Sequence, residues 1–291
     1  VKIATALLLT ISALSMWVGA AGNFRHTYPL DAVSQVQLDA YGHVELTQGT
    51  ADNLEVIAGE DITPYLQFTH QNDTLNVVDT RTHSTWYKTK QWWQQMIGDH
   101  VGDQEVRYHV TLKNPQALTL NGHFAAHVHH INQPSLDVTF NGLGELRAEH
   151  LKHEALALTA NGTVDLHTDD LGTKSFKLTF NGTGDLEALG MDVQQLTGHL
   201  NGLISCTLAG KAQSIKWVLE GSGDCSATRL QAHTAQLHVA GDAHMTVNVK
   251  AKLAAHTEGQ GRITYHGHPK TAIKGNGIRA ITGGYQARTY Y

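Results

Sequence analysis

Several groups of side chains in this sequence could do chemistry. Imidazole against carboxylate is the first. His129-His130, Glu149-His150 and Asp169-Asp170 follow one another at twenty-residue intervals. If the chain repeats at that step, all six groups fall at one turn of successive repeats. His129, His130, His150 and Asp170 then form a candidate metal-ligand set, because imidazole and carboxylate are donors that divalent transition metals accept. The same residues also suit a solvated polar turn. Aromatic rings come next: the stretch 84–104 reads STWYKTKQWWQQMIGDHVGDQ and holds Trp86, Tyr87, Trp92 and Trp93. Such rings either cap an apolar core or offer a platform to sugar rings or a protein partner, since aromatics bury much area at low entropy cost. Cys206 and Cys225 lie nineteen residues apart, close to one repeat. Stacked at about 5 Å they are a disulfide candidate; unbonded, they are two small buried apolar groups.

Carboxylates form a last series. Glu145, Asp165, Asp185 and, after Ser205, Asp224 align on one outward position. A ladder of acids could hold a cation or raise a carboxylate pKa, and a polysaccharide-cleaving enzyme needs carboxylates that converge. No ladder of Lys or Arg accompanies them. Phosphate-binding loops, a G-x-S-x-G elbow and H-E-x-x-H are all missing. The expectation is therefore a protein with no catalytic residues and no cofactor.

A short repeat must position these groups. Asn-Gly recurs with Asn121, Asn141, Asn161, Asn181 and Asn201, a constant step of twenty residues. Apolar residues alternate with the same step: Leu136, Val138, Phe140; Leu156, Leu158, Ala160; Phe176, Leu178, Phe180. Alternation over five or six residues means a strand with one buried face. Two strands and two turns per repeat suit a coil of a β-solenoid, stacked on the next at the strand spacing of about 4.8 Å. Asn and Gly tolerate positive φ at the turn, and stacked Asn amides can bond from coil to coil. Antiparallel hairpins turned at Asn-Gly are the alternative, but they give no reason for a constant period. The sequons at Asn161 and Asn181 are explained by the ladder without glycosylation.

The regular pattern spans 111–282, after a β-rich part at 22–110 that lacks the period and before a tail at 283–291. Residues 1–21 read as a signal peptide: Lys2, an apolar run from Ile3 to about Val18, then small residues. The run is short for a membrane span, and the chain offers no later one, so an exported protein in the periplasm or on the cell surface is expected. The net charge is −5, from 21 Lys and Arg against 26 Asp and Glu, which speaks against nucleic acid as a partner. Twenty histidines are many for this length. Half protonated near pH 6.5, they would add roughly ten positive charges and turn an acidic surface basic.

The stretch VRYHVTLKNPQALTLNG at 106–122, the Gly-rich repeats and the closing Gly259-Gln260-Gly261-Arg262-Ile263-Thr264-Tyr265-His266-Gly267-His268-Pro269 together resemble the bacterial putative auto-transporter adhesin, head GIN domain family. The resemblance covers about 28–282. It implies an all-β chain built as a right-handed parallel β-helix, the handedness coming from the resemblance alone. It implies no catalytic residue. The expected function is a non-catalytic binding or adhesion module of the cell envelope, with an envelope glycan or a protein as partner. A structural envelope protein and a polysaccharide-active enzyme are the alternatives. The oligomeric state is not readable.

Overall fold

The computed structural model describes residues 24–83 and 106–281. The expected signal peptide, the ring cluster of Trp86, Tyr87, Trp92 and Trp93, and the tail 283–291 lie outside the described residues. The chain is all-β, without α-helix among the described residues. Its strands are β1 (Phe24–Pro29), β2 (Gln35–Gln48), β3 (Asn53–Ala58), β4 (Leu66–Gln71), β5 (Thr74–Asp79), β6 (Arg107–Leu112), β7 (Ala117–His129), β8 (Ser135–Val239), β9 (Asp242–Thr257), β10 (Arg262–His266), β11 (Lys270–Lys274) and β12 (Ile278–Ala280). Two compact units divide the chain, one ending at Thr168 and one starting at Asp169. No helix among the described residues is long and apolar enough to cross a membrane.

In the first unit the repeat becomes parallel pairing. β7 lies parallel to β8 with Asn121 opposite Asn141 and Gly122 opposite Gly142. A hairpin turned at Asn141-Gly142 is thereby excluded. Side chains alternate across a strand, so Leu118, Leu120, Phe124 and Val128 stack inward on Val138, Phe140 and Leu146, all at most 1% exposed. The Asn141 amide donates to Asn121 Oδ1 at 2.8 Å, and the Asn161 amide donates to Asn141 Oδ1 at 2.8 Å. Gly142 has φ +143, and a Cβ there would strike the Gly122 carbonyl. The Asn ladder and the close backbone approach at Gly thus explain the two halves of the repeating dipeptide.

The sequence reading of an irregular N-terminal part needs correction for one strand. β2 pairs in parallel with β7 from Gln35↔Ala117 to Thr47↔His129 without a break. Asp39-Ala40 stands where the later repeats carry Asn-Gly, which hid this register. Irregularity is confined to the antiparallel pairs β1–β3, β3–β6 and β4–β5. Asp79 and Arg81 form a buried ion pair beside them, with Nη2 2.7 Å from Oδ2 and Asp79 fully buried. Burial opposes the Arg81 charge, but the hydrogen bonds to Asp79 outweigh it and raise the guanidinium above its ordinary value. The guanidinium also lies over the rings of Tyr41 and Tyr65, 5.4 and 5.8 Å from their centroids.

In the second unit the step shortens. Ser222 pairs with Asp242 but Thr234 with Lys252, the register slipping between Ala227 and Thr234. β9 then pairs in parallel with β10 and β11, and β10 with β12. Trp217 is fully buried, and a Cβ on Gly198 would collide with its indole, so the small residue makes room for the large one. Cys206 and Cys225 occupy inward positions with Cα atoms 4.2 Å apart and are disulfide-bonded.

Removing one member of a buried ion pair leaves the other charge uncompensated, at about 3–5 kcal/mol. Arg81→Met should lower unfolding free energy by about that amount, whereas Arg81→Met combined with Asp79→Leu should recover much of it. Urea denaturation of the two variants checks this; equal losses would contradict the account.

Candidate functional site

The outer face of the first unit carries a column of imidazoles and carboxylates. Register places Glu45 of β2 between His109 of β6 and His127 of β7. Glu45 Oε2 lies 2.7 Å from His109 Nδ1, and Oε1 lies 2.8 Å from His129 Nε2. Both carboxylate oxygens therefore accept from imidazole. His129 Nδ1 in turn lies 2.6 Å from His130 Nδ1, so one ring donates and the other accepts. His127 stacks on His129 at 4.3 Å between ring centroids and reaches Glu149 Oε2 at 3.2 Å. The result is a connected chain of rings and carboxylates held by hydrogen bonds and stacking.

The residues expected to hold a metal, His129, His130, His150 and Asp170, all lie among the described residues. Both ring nitrogens of His129 face partners, Glu45 and His130. The rings of His130 and His150 lie 5.4 Å apart. Asp170 belongs to the second unit, where its backbone amide donates to Asp169 Oδ1 at 2.9 Å. His130, His150 and Asp170 share a left-handed backbone, with φ of +54°, +53° and +51°, and Gly190 has φ +60°. Asn, Asp and His are the non-Gly residues that most readily adopt it. Their spacing is thus already explained by a left-handed backbone position that recurs every twenty residues.

A grouping that the sequence reading missed lies in the second unit. His238 of β8 pairs in register with His256 of β9, their Nδ1 atoms 3.1 Å apart. Glu258 completes a set whose potential ligand atoms lie within 4.8 Å of one another. The signal was an eighteen-residue interval, invisible to a search at twenty.

A cavity of about 560 Å³ opens beside the first unit's imidazole column, lined by Tyr41, His43, His123, Leu143, Glu145 and Asp165 among others. Glycines with positive φ, Gly42 and Gly144, press backbone against backbone at its floor. Leu143 is 53% exposed. Of the expected acidic ladder, Glu145 and Asp165 therefore face this opening. Glu145 Oε1 is 2.6 Å from Arg147 Nη2 and 3.7 Å from His167 Nε2. In the second unit, Asp224 Oδ1 lies 3.6 Å from His244 Nδ1.

Two groups of the first unit make stability depend on pH in separate windows. The hydrogen bond from His129, opposed by partial desolvation and aided by His109, holds Glu45 below its ordinary value of 4.5. Its stabilisation is complete above that value and is lost as pH falls through the lower folded value. Burial pushes His153 below the ordinary 6.5, although its Nδ1 lies 2.7 Å from the Gln133 carbonyl oxygen. The folded state keeps this ring neutral, so stability falls once the unfolded chain binds a proton below pH 6.5. His153→Gln should flatten the upper limb, and Glu45→Gln the lower one. Unfolding midpoints at pH about 7.5, 5.5 and 3.5 test this; unchanged profiles in both variants would refute it.

The family model for the putative auto-transporter adhesin, head GIN domain, matches residues 33–166 and 153–269. A putative adhesin from Parabacteroides merdae is 14% identical, with a TM-score of 0.54, covering 90% of this chain and 96% of its own. A putative lipid binding protein from Parabacteroides distasonis is 16% identical, with a TM-score of 0.51, covering 90% and 95%. At such identities the likeness is one of fold. No curated protein matches the chain. The two matched segments span most of the sequence, and the chain belongs to the putative auto-transporter adhesin, head GIN domain family.

Proposed function

We propose that this chain is an exported, non-catalytic binding module of the bacterial cell envelope, built as a right-handed parallel β-helix with coils of about twenty residues, and that its first unit holds an envelope glycan. The apolar segment before the described residues supports export, and the parallel in-register pairing of β2, β7 and β8 supports the β-helix. The family name supports adhesion.

The glycan reading is carried by the lining of the first unit's cavity. Sugar rings present apolar faces and rims of hydroxyls. Tyr41 and the exposed Leu143 offer surface to the faces, while Glu145 and Asp165 offer acceptors to the hydroxyls. Hydrolysis would ask for more: one carboxyl kept protonated by burial, opposite a second. Glu145 is instead ion-paired to Arg147 at a partly exposed position. The stretch 84–104, with Trp86, Tyr87, Trp92 and Trp93, is a second candidate in the sequence for the same ligand class.

Intrinsic fluorescence of the exported form, titrated with a panel of envelope glycans, tests the reading. Trp217, fully buried, serves as a constant background. Saturable binding should weaken at least about tenfold in Leu143→Ser/Asp165→Asn, with the unfolding midpoint held. Loss in Trp92→Ala/Trp93→Ala alone would move the site to the 84–104 stretch. Absence of binding to every glycan would overturn the proposal and leave a structural envelope protein.

A further inference from the structure

The closing motif of the sequence builds a second opening, independent of the glycan cavity. It measures about 520 Å³, and its polar lining includes His244, Gln260, Arg262, Thr264, Asn276 and Arg279, set among glycines. On β10, Arg262 and Thr264 point to the same face, and register sets Arg262 beside His244 of β9 and Thr264 beside Arg279 of β12. The two arginines are therefore diagonal neighbours on adjacent parallel strands, with backbones about 7–8 Å apart. Guanidinium arms can converge on one group from that spacing.

Charge singles this opening out. The chain carries a net charge of −5, yet among the described residues no Asp or Glu lines the opening. Neither Arg262 nor Arg279 makes an ion pair among the described residues. Two acids stand at its edge and have partners: Asp224 lies 3.6 Å from the lining His244, and Glu258, beside Gly259, lies 3.4 Å from His256. The glycines keep the space open. Gly275 has φ +105°, and a Cβ at Gly277 would strike the Gly261 carbonyl. The backbone amides of Gln260, Gly261 and Gly277 donate to the Gly241 carbonyl, the Glu258 carbonyl and Thr257 Oγ1. They stiffen the turns, and recognition is left to the side chains.

We propose that this opening binds a tetrahedral oxyanion, a phosphate or sulfate ester, carried on an envelope polymer. A guanidinium presents a planar fork of N–H donors that matches such oxygens two at a time. Asn276 and Thr264 add neutral polar groups at the rim. His244 Nε2, 2.9 Å from Thr264 Oγ1, fixes the orientation of that hydroxyl.

The test is calorimetry on the full exported chain at low salt, with inorganic phosphate, inorganic sulfate, dextran sulfate and uncharged dextran as probes. Arg262→Gln/Arg279→Gln is compared with Lys211→Gln/Lys216→Gln, which removes the same charge from exposed positions of the same unit. Dextran sulfate affinity should fall at least about tenfold in the arginine variant and under about twofold in the lysine variant. Free phosphate or sulfate binding that is lost in the arginine variant would also support the site, and would assign it to small anions. Equal losses in the two variants, or no binding of any anionic probe by the wild type, would overturn it. Retained binding of uncharged glycan in the arginine variant keeps this test separate from that of the first unit's cavity.

Discussion

Parallel, in-register pairing between a strand and its own repeat is the interaction on which the rest of the structure depends. Once Asn121 is set beside Asn141, every other residue of the two repeats is placed as well. Inward positions become continuous apolar columns. The glycines after Asn141, Asn161 and Asn201 are forced against the carbonyl of the glycine one repeat before, so no Cβ fits. The Asn amides then donate and accept along one line. Backbone ladder, core and turn are three consequences of one register.

The same register organises the surface chemistry. In a parallel ladder each outward residue meets its equivalent in the neighbouring repeat, so like groups stack unless the sequence varies them. The first unit alternates imidazole and carboxylate, His109 and His129 bracketing Glu45, which turns a stack of like side chains into a hydrogen-bonded network. At the left-handed positions the demand is conformational. His130 and His150 satisfy a left-handed backbone first, and any chemistry they do is secondary to that. The second unit leaves Arg262 and Arg279 without carboxylate partners, an arrangement that an anion would complete.

Much of this was legible in the sequence where the period was constant. Asn-Gly at twenty-residue steps, with alternating Leu, Val and Phe, sufficed to place the inward columns and to bring Cys206 beside Cys225. Legibility failed where the period was disguised or altered. Asp39-Ala40 replaces Asn-Gly in β2, so Glu45 could not be seen as the partner of His129. The slip between Ala227 and Thr234 shortens the step and hides the pairing of His238 with His256. The Arg81–Asp79 pair could not be read at all, because the rings against its guanidinium, Tyr41 and Tyr65, are distant in sequence. Periodicity reports which residues share a column, but not which way a long side chain turns at its end.

Spin labels at His127→Cys and Arg147→Cys test the central claim most directly, since these positions are register partners on β7 and β8. Parallel pairing at one repeat places the two backbones about 5 Å apart, and the labels should show strong dipolar broadening with an interspin distance under about 15 Å. A chain folded into hairpins at Asn141-Gly142 would offset the two positions by nine residues, roughly 30 Å along the strand. An unbroadened spectrum with a distance near that value would contradict the account.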